Sequence, residues 1–171
     1  MTKNPSHPRP WDSPTREHPE PVPLVSESDL VNPLLKVAEV MRGDVRTCSP
    51  FSTATEAALI FRDCHCGAVP VVDGGKPVGI VTDRDVALAL ADREAGLPDV
   101  PLADLMAKDL VTVESDAPLA EALDRFEEGA RRLVVVDSSG QLAGILSWAD
   151  LVPHLSKRAI GMVAAKIERD R

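Results

Sequence analysis

The chain has 171 residues, 44% hydrophobic and 27% charged, which suits one folded domain of ordinary size or two small units sharing a core. A formal net charge of −8 argues against general affinity for nucleic acid or an anionic membrane, since both reward clustered Lys and Arg. No apolar run approaches the roughly 18 residues of a membrane span, the start "MTKNPSHPRPWDSP" lacks a secretory signal's apolar stretch, and three cysteines make no disulfide framework, so a cytoplasmic location is expected.

Residues 1–33 hold eight of the fifteen prolines, among Ser, Glu, Asp and His. Such a segment cannot bury enough apolar surface to offset its chain entropy, and it reads as a disordered Pro-rich tail. Trp11 is its one conspicuous residue, either a docking contact or a solitary side chain of the tail.

From Leu34 the chain repeats itself with a shift of 65 positions. Met41 falls on Met106, Asp44 on Asp109, Thr47 on Thr112, and Glu56, Ala57 and Phe61 on Glu121, Ala122 and Phe126. After one deleted residue "VVD" at 71–73 matches "VVD" at 135–137, and "GIVTDRD" at 79–85 matches "GILSWAD" at 144–150. The repeats are taken as residues 34–98 and 99–171, the second ending in a C-terminal helix.

Each repeat is expected to run β-α-β-β-α. A short strand ("DVRTC", "DLVTV") precedes a helix, which Thr53-x-x-Glu56 opens as a capping box in the first copy and Pro118 opens in the second. An apolar strand ("AVPVVD", "LVVVD"), a Gly-containing turn ("GGK", "SSGQ") and a third strand ("PVGIV", "LAGIL") form a hairpin. The stretches "VALALADREAG" and "LVPHLSKRAIGMVAAKIERDR" continue as helices. Aromatic residues are 3% of the chain, so the core must come from Val, Leu, Ile and Ala. Neither repeat can bury its sheet comfortably alone, so an α+β fold is expected, its two sheets packed together with pseudo-twofold symmetry and two equivalent clefts.

The heptad Gly-x-x-Thr/Ser-x-x-Asp carries the chemistry. It closes a strand and opens a helix: Gly79 and Gly144 permit close approach to the backbone, Thr82 and Ser147 sit near the N-cap, and Asp85 and Asp150 follow one turn later. One reading is a capping pair worth about 1 kcal/mol. The other is a ribonucleotide site, with the hydroxyl and free helix N–H groups facing phosphate and the carboxylate facing the ribose hydroxyls. Capping alone drifts between the copies, as Thr53 against Pro118 shows, whereas the heptad persists, and this favours a ligand.

Paired β-α-β-β-α units, each with a "PVVD"-type strand followed by G-h-h-T/S-x-x-D, resemble a tandem pair of CBS domains over roughly residues 35–160. The resemblance implies a non-catalytic regulatory module that binds adenosine-containing ligands (AMP, ADP, ATP or S-adenosylmethionine) in clefts between the repeats and commonly dimerises. It implies phosphate contacts at Thr82 and Ser147 and ribose contacts at Asp85 and Asp150. Backbone near Thr47 and Thr112, with Gly67 and Ala68, would line the base pocket. Arg131 and Arg132 stand in the second copy where the first has Gly67 and Ala68; with Arg84 they are candidates for phosphate charge, or ordinary surface arginines. Val134 replaces Pro70, and the two clefts are not equivalent.

"CHC" at Cys64, His65 and Cys66 lacks the C-x₂₋₄-C spacing of a zinc site and has no second cluster. Cys66 aligns with Ala130 and reads as a small core residue, while Cys64 aligns with Glu128 and reads as exposed. Trp148 reads as a packing residue beside the second heptad. No nucleophile–base pair, metal-ligand helix or P-loop is present, so enzymatic activity and a metal or organic cofactor are not expected. Three functions remain open: a nucleotide-sensing module acting on an unknown protein partner, a ligand-free dimerisation scaffold, and a thiol or metal sensor at Cys64, His65 and Cys66.

Overall fold

The computed structural model describes residues 31–92, 99–157 and 159–161. The expected tail over residues 1–30, with Trp11, lies outside them.

The first repeat opens with helix α1 (Ala54–Cys64). Thr53 caps it as expected: the Glu56 N–H donates to Thr53 Oγ1 at 3.2 Å, and the Thr53 N–H donates to Glu56 Oε2 at 2.7 Å. The helix stops at His65, whose left-handed φ of 50° turns its N–H back to the Phe61 carbonyl. Strands β1 (Ala68–Asp73) and β2 (Lys76–Thr82) form an antiparallel hairpin. Its two turn residues, Gly74 and Gly75, have φ of +57° and +85°, as a two-residue type I′ turn requires. Helix α2 (Asp83–Asp92) follows without a break.

The second repeat contains β3 (Thr112–Glu114), α3 (Leu119–Glu127), β4 (Arg132–Val136), β5 (Leu142–Ser147) and α4 (Trp148–Leu151). Helix α3 buries Leu119, Ala122, Leu123 and Phe126, an i, i+3, i+4, i+7 stripe facing the core. Strand β3 runs parallel to β4, and β4 antiparallel to β5. Both hairpins shift register at matching places, between Val71 and Val72 and between Val135 and Val136.

Two expected elements differ. In "DVRTC" only Cys48 pairs, through a single parallel bridge to Val71, whereas its counterpart forms β3. The reason is two prolines: Pro70 lacks the N–H that its counterpart Val134 donates to the Val111 carbonyl at 3.0 Å, and Pro50 removes a second bond. Its counterpart Ser115 donates its N–H to the Val136 carbonyl at 2.8 Å, a ladder bond that proline cannot make. In addition, Ser49 Oγ accepts from the N–H groups of Phe51 and Ser52, both at 3.2 Å, which turns the chain away.

The long C-terminal helix is also interrupted. Helix α4 gives way to a 3₁₀ turn at Val152–His154 containing Pro153, and Leu155 is extended (φ −86°, ψ 147°). Leu155 then bridges to Val31, so Val31 is packed in the core although it lies within the segment read as tail. Residues 162–171 lie outside the described residues.

The lead-in segments cross between the halves. The opening residues of the first repeat pack on the second: the Val37 N–H donates to the Ala117 carbonyl at 3.0 Å, and Val37 joins Leu119, Leu123 and Phe126 in one core. The opening residues of the second repeat pack on the first: the Leu102 N–H donates to the Ser52 carbonyl at 2.8 Å, and Leu102 joins Ala57, Val69 and Val81 in the other core. Val37 and Leu102, 65 positions apart, are both fully buried, which contributes roughly 1.5–3 kcal/mol for each side chain. The fold is therefore α+β, two repeats packed sheet to sheet with pseudo-twofold symmetry and laced by exchanged segments.

Candidate functional site

The two heptads lie where β2 enters α2 and where β5 enters α4. Their glycines answer to this crossing. A Cβ on Gly79 would collide with the Met106 side chain, and one on Gly144 would stand 2.5 Å from the Arg42 carbonyl oxygen and 3.0 Å from Met41 Sδ. The group approaching each glycine closely is the lead-in of the other half. Met41 and Met106, aligned in the repeat, play the same part in each.

Downstream of each glycine the hydroxyl and carboxylate bind one another. Asp85 Oδ2 accepts from the Thr82 N–H at 2.8 Å and from Thr82 Oγ1 at 2.7 Å, and the Asp85 N–H donates to Thr82 Oγ1 at 3.2 Å. Asp150 Oδ2 accepts from the Ser147 N–H at 3.0 Å and from Ser147 Oγ at 2.5 Å. Both pairs are reciprocal caps, so the capping reading describes this structure. It does not use every acceptor, because each carboxylate keeps Oδ1 for another donor.

At Asp150 that donor is Arg42, whose Nε lies 2.7 Å from Oδ1. Burial pushes the Asp150 carboxyl up, but the hydrogen bonds from Ser147 and Arg42 outweigh it and hold the group below its ordinary value. The same hydrogen bond raises the Arg42 guanidinium. At Asp85 no partner for Oδ1 exists among the described residues. The sequence reading missed Arg42. Its signal was the mismatch of Arg42 with Ala107 under the shift of 65.

The other candidates divide. Ala68 is directly paired with Thr82, and Arg132 with Ser147, so both strands present these positions to the motifs. A Cβ on Gly67 would lie 3.3 Å from Arg132 Nη2 and 3.5 Å from Asp83 Oδ2, so Gly67, Asp83 and Arg132 converge from the two halves. Arg84 and Arg131 are exposed. Thr112 is exposed at the start of β3. Thr47 lines a cavity of about 560 Å³ with Cys48, Ser52, Glu56, Leu59 and Cys64, and none of the motif residues lines it.

Cys64 is exposed, Cys66 is half-buried with its Sγ 3.9 Å from the Ile60 carbonyl, and burial of Cys48 pushes its thiol up. Among the described residues no three of His, Cys, Asp and Glu converge as a metal site. Trp148 packs on Phe126, ring centroids 4.8 Å apart. No helix among the described residues is long and apolar enough to cross a membrane.

The CBS domain family matches this chain twice, over residues 37–92 and 102–157. The chain belongs to the CBS domain family. As a CBS pair it is a regulatory module, the class to which catalytic function is generally foreign. It is similar to protein MK0525 of Methanopyrus kandleri, 36% identical over 69% of this chain; the match spans 61% of that longer protein. It is also similar to the CBS domain-containing protein YhcV of Bacillus subtilis, 34% identical over 77% of this chain and 94% of that one. The CBS pair of protein MJ0100, solved with 5′-methylthioadenosine and S-adenosylmethionine, superposes with a TM-score of 0.61 and 26% identity, over 71% of this chain and 95% of that one.

Proposed function

We propose that this CBS pair binds an adenosine-containing nucleotide at its Thr/Ser-x-x-Asp motifs and thereby alters contacts within a homodimer or with a protein partner. The observation that carries the reading is Oδ1 of Asp85, which has no partner among the described residues, is held in place by the Thr82 pair and can take a hydroxyl donor. A ribose offers two such donors side by side, and the Thr82 hydroxyl, whose proton goes to Asp85 Oδ2 here, would turn that proton to a phosphate oxygen. Support comes also from MJ0100, whose CBS pair holds two adenosine compounds. In this reading Asp85 and Asp150 meet ribose, Thr82 and Ser147 meet phosphate, Ala68 and Gly67 border the base, and Arg132 supplies cationic charge. Occupancy would act on the rest of the molecule only through a difference in affinity between two arrangements.

Equilibrium dialysis of the protein against AMP, ADP, ATP and S-adenosylmethionine tests this, with Asp85→Ala in parallel. Retention of one of them by the wild type, lost in the variant, supports the reading. Retention of none contradicts it and leaves the motifs as helix caps in a scaffold.

A further inference from the structure

Arg42 is what distinguishes the two motifs. It stands on the crossing lead-in at the register that Ala107 holds in the other half. The Arg42 N–H donates to the Ile145 carbonyl at 2.9 Å and its carbonyl accepts from the Ile145 N–H at 3.0 Å. Ala107 makes the same exchange with Ile80, at 2.9 Å and 3.0 Å. Backbone placement is thus equal, and only the side chains differ. From position 42 a guanidinium reaches Asp150 Oδ1 at 2.7 Å, whereas the methyl group at 107 has no donor to offer Asp85.

The consequence follows from acceptor counting. Asp150 has Oδ2 filled by the two Ser147 bonds and Oδ1 taken once by Arg42, which leaves one lone pair where Asp85 Oδ1 keeps two, so the paired hydroxyls of a ribose there must compete with a charged donor. Asp85 has Oδ1 open. Resting on the nucleotide reading above, we propose that Arg42 is a latch on Asp150, setting the order in which the two motifs take a nucleoside: Asp85 first, Asp150 only as Arg42 releases it. Release is within reach, because the Arg42 side chain is 70% exposed and water can replace the carboxylate around it. With the guanidinium in solvent and only the Asp150 carboxylate largely covered, at 9% exposed, the pair resists by a factor of about five in the equilibrium constant. The latch therefore grades occupancy: one equivalent binds at lower concentration and the second follows.

Calorimetric titration with AMP, ATP and S-adenosylmethionine tests the latch in the full chain and in two reciprocal variants. Arg42→Ala copies what the other half already carries, and Ala107→Arg transplants the latch. The wild type is expected to bind in two phases, the tighter lost in Asp85→Ala and the weaker in Asp150→Ala. Arg42→Ala should strengthen the weaker phase about five-fold and leave the tighter one in place. Ala107→Arg should weaken the tighter phase, and Arg42→Lys should fall between wild type and Arg42→Ala. Two equal phases in the wild type, or a second phase that Arg42→Ala weakens, would overturn the latch while leaving nucleotide binding standing. No heat from any ligand with wild type and Arg42→Ala alike would overturn the nucleotide reading and the latch with it.

Discussion

The Arg42 carbonyl oxygen lies over Gly144 so closely that any β-carbon there would come within 2.5 Å of it. The contact joins the lead-in of the first repeat to the motif strand of the second, and Met106 over Gly79 repeats it in the other half. Each motif glycine is therefore a seam in the molecule.

A stability difference follows. At Gly144 the obstacle is backbone, fixed by two hydrogen bonds to Ile145, so Gly144→Ala should cost about 3 kcal/mol or more. At Gly79 the nearest obstacles are Sδ, Cγ and Cβ of Met106, of which only the far end can swing aside, so Gly79→Ala should cost somewhat less, about 2 kcal/mol. Urea unfolding of the two variants checks the order; equal losses would show that the seam yields equally on both sides.

The caps make a second prediction, one that matters for any binding assay. Thr82 and Asp85 satisfy each other's backbone N–H groups, so Asp85→Ala should lose about 1 kcal/mol with no ligand present. Thermal unfolding without ligand measures it. An unchanged midpoint would show that the Thr82 pair contributes nothing to the fold.

Asp150 gives a dependence on pH. Its folded carboxyl titrates below the ordinary 3.8, so its ionised form stabilises the fold at pH values above that range. That contribution is lost as pH falls through the lowered value. The stability difference between wild type and Arg42→Ala should accordingly be present near neutral pH, at up to about 1 kcal/mol, and shrink as acid protonates Asp150. Unfolding in urea across pH tests this; a difference that grows in acid would contradict the pairing.

Phe126 and Trp148 tie α3 to the second motif. Phe126 is 3% exposed, and Phe126→Ala should cost about 3–5 kcal/mol. In a Trp11→Phe background, Trp148 emission should shift to the red as its apolar neighbour is removed. An unshifted spectrum in a folded variant would place the indole elsewhere.

What the sequence made legible was local or repeated. The Thr53-x-x-Glu56 box, the Gly74–Gly75 turn and the reciprocal motif caps depend on residues within a few positions of one another. The repeat itself announced the pseudo-symmetry. What stayed hidden depended on distant pairing. Val37 packing on α3 and Leu102 on α1's core are exchanges that no local pattern encodes. Pro50 was visible yet its effect on "DVRTC" depended on the missing bond to a strand across the sheet. Arg42 was hidden because an exposed arginine is ordinary, and only the ion pair 108 positions away gives it meaning.

The most direct test of the account is thermal unfolding with and without AMP, ADP, ATP and S-adenosylmethionine, each variant read against its own ligand-free midpoint. At a hundred times its dissociation constant a ligand should add about 2.7 kcal/mol to the wild type. The account predicts such a shift for one or more of the four, abolished or sharply reduced in Asp85→Ala. A well-folded wild type that none of the four stabilises, or a full shift that survives in Asp85→Ala, would contradict it.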